Sequence, residues 1–399
     1  MTIRTKMVTL VRSIGQSALS LSFNLGGLLA GTLLATYFDV FSITSWSLLI
    51  YPGILSARGA VGGLFCGRLS TALHLGTIRP SFTRNTKDFY LLLYAVITLT
   101  VGSSVMMGLV ASLFSVFLGI TAVDSLDLLV VIIATMGLSL VFIPPITLGI
   151  SVLSFKKNLD PDVIVYPVIS TVADILVTVC YIFVLDIFFS SKLGRYWIGL
   201  FDLVFLLIVG YILTKNYREK EFVKTLKEFF LTLVLTAFIV NITGSFLSKV
   251  HQIIGDRPEI YVVYPALIDT VGDVGSIVGS TATTKLALGI IGSSFSSIKQ
   301  HLVEIGGAWS ASLIMFTLYA LIASSMYGLT ASSDVLSFTV RLLTTNLLAV
   351  LLIVAVSFAL AISTHRRGWD PDNFVIPIES SLADTITTIS LLIALTIAV

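Results

Sequence analysis

Eleven apolar segments follow one another along this chain, at about 15–38, 44–77, 89–120, 128–154, 162–188, 196–214, 228–250, 259–292, 302–329, 336–362 and 373–398. No connection between them exceeds roughly 15 residues. A helix that crosses the hydrocarbon core of a bilayer needs about 20 apolar residues. Backbone N–H and C=O groups in lipid must find partners within their own segment, and no segment alternates in the manner of a barrel strand, so each predicts a helix. With 56% hydrophobic and only 12% charged residues, the chain has too little polar surface to face water, since soluble domains are about 25% charged. The expected fold is an all-α polytopic membrane protein of about 11 transmembrane helices, without a soluble domain.

A net charge of +2 gives no electrostatic case for nucleic acid as a partner; the bilayer is the partner. Cys66 and Cys180 both fall in apolar runs, which supports neither a disulfide framework nor a thiolate metal site. The basic start, Met1 to Arg12, leads into a long Gly-rich apolar run, which fits an uncleaved first span better than a signal peptide. Lys and Arg concentrate in cytoplasmic loops. With the N-terminus inside, sixteen of the 24 fall in inner segments and five in outer loops. The expectation is a cell-membrane protein with a cytoplasmic N-terminus and an outside C-terminus.

The chain also repeats itself. Tyr51-Pro52 through Ile78 aligns without gaps on Tyr264-Pro265 through Ile291, with ten of 28 positions identical, among them Gly59/Gly272, Gly62/Gly275, Thr71/Thr284 and Gly76/Gly289. Asp160-Pro161-Asp162, Pro167, Ser170, Ala173 and Asp174 recur as Asp370-Pro371-Asp372, Pro377, Ser380, Ala383 and Asp384. Each half supplies five spans, and an odd number would invert the second half. The sixth segment, Tyr196 to Thr214, has no counterpart and restores the orientation. The prediction is two parallel five-helix repeats, 1–190 and 222–399, joined by a linker helix within 191–221, around an axis along the membrane normal.

Charge inside a span is costly and points to function. Asp174 lies about 12 residues into its span, or roughly 18 Å at 1.5 Å per residue, and Asp384 repeats it. Two carboxylates meeting on a twofold axis give an oxygen-only site, which suits a hard divalent cation that keeps part of its water. Asp269 and Asp273, four residues apart, share a helix face. Their counterparts are Ser56 and Ala60, and Glu379 faces Ile169 in the other half, so these three acids are one-sided. Asp174, Asp384, Asp269, Asp273 and Glu379 form the candidate metal set. For Asp174 and Asp384 the competing roles are capping of a broken helix or pairing with a buried base, and for Asp269 and Asp273 a helix-end role. Asn24 and Asn241 suit interhelical hydrogen bonds, Arg58 and Arg68 suit structural ion pairs, and capping is the favoured role of the two Asp-Pro-Asp runs. Pro52, Pro144, Pro145, Pro167, Pro265 and Pro377 predict broken spans, which in transporters mark the binding site.

At these residues the chain resembles the MgtE-type magnesium channels and, more closely, the family-41 solute carriers, which hold two MgtE-like membrane halves in one chain. The carrier pattern of a Pro, a Gly-centred break and Arg-Leu-Ser-Thr reads here as Pro52, Gly59 and Arg68-Leu69-Ser70-Thr71. The late pattern reads Asp370-Pro371-Asp372-Asn373, Pro377 and Ser381-Leu382-Ala383-Asp384. The resemblance implies a magnesium pathway with Asp174 and Asp384 binding the ion. The family's Gly-Asn after the first break is Gly59-Ala60 and Gly272-Asp273 here, a departure in that part of the site. No stretch matches the cytosolic sensor domains of the bacterial channels.

The expected function is transport of a divalent cation, magnesium first, by a chain that is not an enzyme and needs no cofactor. Channel and carrier both fit, with Na+ or H+ as the coupling ion of a carrier. One chain carries both halves, so it should hold a complete pathway, with any dimer accessory. Two other classes compete. An intramembrane aspartyl hydrolase could share a proton between Asp174 and Asp384, but no second catalytic motif accompanies them. A transport-inactive scaffold or receptor has no use for repeated acids at mid-membrane.

Overall fold

Helix follows helix through the described residues. The computed structural model describes residues 3–397 apart from 28–32, 34–36, 38–39, 41–44, 83, 118–121, 237–257 and 328–330. Eleven long α-helices and no strand occur among the described residues. They are α1 (Ile3–Leu21), α2 (Ser45–Leu75), α3 (Lys87–Phe117), α4 (Ala122–Lys156), α5 (Pro161–Ser190), α6 (Lys192–Asn216), α7 (220–236), α8 (Pro258–Ala287), α9 (Leu302–Met326), α10 (Ser332–Arg366) and α11 (Val375–Ile397). Eight of them, α3 to α6 and α8 to α11, are long and apolar enough to cross a bilayer. The polytopic all-α fold expected from the sequence is the fold observed. The later part of the seventh apolar segment, with Asn241, lies outside the described residues.

Two expectations need correction. The first helix begins at Ile3, about a dozen residues ahead of the apolar run, and passes into a 3-10 turn at Ser22–Gly26. The spans are also not broken at their prolines: α4 runs through Pro144 and Pro145, and α5 through Pro167. A proline frees the carbonyl four residues earlier, and in membranes neighbouring Ser and Thr re-satisfy such groups. Pro167 frees the carbonyl of Val163, which accepts from Ser20 of α1 at 2.8 Å. Pro377 frees the carbonyl of Asn373, which accepts from Thr232 of α7 at 2.9 Å. The two donors occupy equivalent places in the two halves.

That equivalence recurs throughout. Asp160 and Asp370 each accept from the backbone N–H two residues on, at 3.0 and 3.1 Å. Their own N–H groups donate to Gln16 and Glu228, again equivalent. Tyr51 bonds Thr178 and Tyr264 bonds Thr388, both at 2.6 Å. Thr71 and Thr284, equivalent to each other, meet at 3.2 Å, so the pseudo-twofold axis passes between them. Asp162, in the first turn of α5, accepts from Ser70 near the end of α2 and from Ser280 near the end of α8. Helices α2 and α8 therefore finish at the same end of the bundle, and the halves are parallel.

Around the axis stand α2, α5, α8 and α11. Each of α5 and α11 packs on both α2 and α8, which also touch each other. Small residues allow this closeness: a side chain at Gly63 would collide with Ile376, and one at Gly275 with Glu379. The first helix of each half crosses over. Helix α1 packs on α9 of the second half, while Phe222, Phe229 and Leu233 of α7 join apolar clusters of α2 and α3. The linker α6 packs on α3, α4 and α5 of the first half and turns Leu200, Leu203, Val204 and Leu207 outward.

Candidate cation site

All five acids named from the sequence come from three of the four axial helices. Asp174 projects from α5, Asp269 and Asp273 from α8, and Glu379 and Asp384 from α11. The backbone beneath the repeated pair is pinned in the same way in both halves. Thr178 donates to the carbonyl of Asp174 and Thr388 to that of Asp384, each at 2.6 Å. With its only hydrogen so used, each threonine accepts from its tyrosine, Tyr51 or Tyr264.

Proximity shows in the electrostatics. The charge of Asp174 acts on Asp384, Asp269 and Asp273, and Glu379 feels both Asp273 and Asp384. Asp174 keeps 26% of its side chain accessible although it lies deep in the protein, so it lines an internal crevice. Asp384 and Asp269 are half-buried in the same manner. Asp273 and Glu379 stand behind them, 2% and 0% exposed. Ser170 lies 3.5 Å from Oδ1 of Asp273, while Oδ2 of Asp273 and both carboxylate oxygens of Glu379 have no hydrogen-bond partner. Buried polar oxygens without partners are rare in native structures and call for an ion, a proton or water. Oxygen-only donors, mostly carboxylates, are the chemistry of a hard divalent cation.

Among the described residues one cation reaches this cluster. Arg58 of α2 sits 3.2 Å from Asp174 and also donates to the carbonyls of Ile169 at 3.1 Å and Ser170 at 3.4 Å. Its counterpart in the second half is Val271, and among the described residues no cation pairs with Asp384. The ion-pair role read for Arg58 from the sequence is the one observed. Asn24 accepts from Thr171 and donates to Thr270, joining the two halves as an interhelical link. Asp202 of α6 is buried away from these acids, with both oxygens unpartnered.

The acids of the two Asp-Pro-Asp runs divide their roles in a way the sequence did not separate. Asp160 and Asp370 cap helices, as expected, but Asp162 and Asp372 are each 3% exposed and lie beside the Thr71/Thr284 contact. Thr284 reaches Asp162 and Thr71 reaches Asp372, each across the axis. Arg68 pairs with Asp370, and a cavity of about 430 Å³ at this end is lined by Arg68, Thr71, Lys224, His365, Asp370 and Asp372. The identity of Thr71 and Thr284 in the repeat was the available signal, because identical residues at equivalent positions can meet only on the axis.

Buried carboxylates that outnumber their cations at the centre of a helical membrane bundle define the class: a membrane protein that handles cations. The MgtE family of divalent cation transporters matches residues 51–184 and 264–394, and the chain belongs to that family. No curated protein sequence matches it. Among solved structures it is similar to a MATE crystallised in complex with MaD3S, at 12% identity over 97% of this chain and 96% of that one, with a TM-score of 0.47. It is also similar to the outward-facing conformation of a multidrug resistance MATE family transporter of the MOP superfamily, at 11% identity over 97% and 96%, with a TM-score of 0.43.

Proposed function

We propose that this divalent cation transporter carries Mg2+ through a site between its two halves, with Asp174 and Asp384 as the paired ligands. Asp269, Asp273 and Glu379 add negative charge from the second half. The observation that carries this reading is the quasi-equivalent Asp174/Asp384 pair, whose backbone carbonyls are pinned in the same way by Thr178 and Thr388, with Asp384 close enough to feel the charge of Asp174. Magnesium dehydrates reluctantly and is held by one or two carboxylates with its remaining waters, which fits a half-buried pair at the wall of a crevice. The five-helix units in this reading are 1–190 and 222–399, joined through 191–221. The N-terminus is cytoplasmic and the C-terminus outside, and one chain encloses one pathway.

The test is Mg2+ flux into proteoliposomes. Asp384→Asn and the Asp174→Asn/Asp384→Asn double variant should lose most flux, and near-normal flux in the double variant would remove the assignment. Mixing active and double-variant chains at known ratios checks the single-chain pathway: flux should follow the active fraction, and a fall with its square would mean that two chains share one pathway. Running the assay with and without Na+ and pH gradients separates a coupled carrier from a channel.

A further inference from the structure

The acids at the end where α5 begins are treated differently in the two halves. In the second half, Arg68 neutralises Asp370 and the residue equivalent to His74 is Ala287. In the first half the equivalent of Arg68 is absent, its place in the repeat being Thr281 of α8, and His74 faces the acids instead. Nε2 of His74 lies 3.4 Å from Oδ1 of Asp160 and 3.7 Å from Oδ2 of Asp162. One ligand atom from each of the three falls within 4.8 Å of the others.

These separations are long for hydrogen bonds to an imidazole nitrogen, and Nε2 is enclosed without a hydrogen-bond partner. They match a shared ion better. Two ligand atoms each about 2.1 Å from a tetrahedral ion stand roughly 3.4 Å apart. The rest of the cluster is already committed. Oδ1 of Asp162 accepts from Ser70 and Ser280, which leaves Oδ2 toward the histidine. Oδ1 of Asp160, the atom nearest Nε2, also accepts from the Asp162 N–H as the cap of α5, and Phe155 packs edge-on against the imidazole at 6.0 Å. Asp162 is 3% exposed, so its carboxylate is fixed by its surroundings rather than free in solvent.

We propose that His74, Asp160 and Asp162 bind a first-row transition cation of the Zn2+ type, at a site distinct from the mid-membrane acids. An imidazole nitrogen with two carboxylates suits borderline cations, whereas Mg2+ prefers oxygen alone. Three protein ligands leave a fourth position for water. The site belongs to one half only, and because Asp162 also bonds Ser70 and Ser280 beside the axis, an occupied site bears on the contact where α2 and α8 meet.

The experiment is Zn2+ binding to the full chain in lipid nanodiscs with Mg2+ in excess, read by stoichiometry and by Zn X-ray absorption. The native chain should bind one Zn2+ that resists Mg2+ and shows imidazole back-scattering. His74→Gln should lose that ion and that signature. Asp160→Asn keeps a capping side chain, so it serves as a folded variant, and its Zn2+ affinity should drop by about 10-fold or more. The same stoichiometry and imidazole signature in His74→Gln would overturn the proposal. So would a native chain with no Mg2+-resistant Zn2+, which would make the cluster a protonated His–Asp contact. Binding is read directly, so either result leaves the Mg2+ flux assignment standing.

Discussion

The two halves share a scaffold and differ in charge. The same bonds pin Asp174 and Asp384, cap α5 and the 3-10 turn ahead of α11, and repair the carbonyls freed by Pro167 and Pro377. The first half adds arginines, Arg58 and Arg68, to its axial helix, where the second half has Val271 and Thr281. The second half adds acids, Asp269, Asp273 and Glu379, where the first has Ser56, Ala60 and Ile169. Duplication supplied a symmetric frame, and divergence placed base on one side of it and acid on the other. In the proposed site an ion would meet one carboxylate paired with Arg58 and one with no basic partner among the described residues.

The sharpest way to break this comparison is to remove the two aspartates one at a time. Asp384 has no basic partner among the described residues, so Asp384→Asn should leave stability near that of the parent while cation flux falls by about 10-fold or more, as removal of a metal-site group does. Asp174→Asn also strands Arg58, which is 5% exposed. Breaking a buried pair in this way costs about 3–5 kcal/mol, so the variant should melt earlier in detergent. Pairing it with Arg58→Gln should restore the melting temperature without restoring flux. Equal stability of the two single variants would contradict the asymmetry.

A smaller effect is expected from Arg58→Gln alone. It removes the cation that competes for Asp174, and the half-saturating Mg2+ concentration should fall by about fivefold or more, in the range of couplings between neighbouring sites. No change would mean that Arg58 serves packing alone. Orientation is open to a separate check, because Lys156 and Lys192 are exposed just before and just after α5. Lys156→Cys should label only from the cytoplasmic side and Lys192→Cys only from outside. The least disruptive test concerns the shared scaffold. Ser20→Ala and Thr232→Ala each leave a freed carbonyl unsatisfied and should lower stability by similar amounts, about 1–3 kcal/mol. Clearly unequal losses would show that the two repairs are not equivalent.

Much of this arrangement could be read from one dimension. Apolar run length specifies the helices, because backbone groups in lipid have no partner outside their own segment. The gapless repeat places Asp174 opposite Asp384, since one duplicated fold puts equivalent residues in equivalent places. The one-sidedness of Asp269, Asp273 and Glu379 follows from the same alignment. Pairings between distant segments were not legible. That Arg58 reaches Asp174 rather than Asp384, that α1 and α7 cross to the opposite half, and that His74 stands over Asp160 and Asp162 depend on how helices pack and which rotamers the packing leaves. The prolines carry the same lesson. Their positions are plain in the sequence, but the hydroxyls that reach the carbonyls freed by Pro167 and Pro377 come from other helices, and Ser20 and Thr232 become neighbours of Val163 and Asn373 only once the chain has folded.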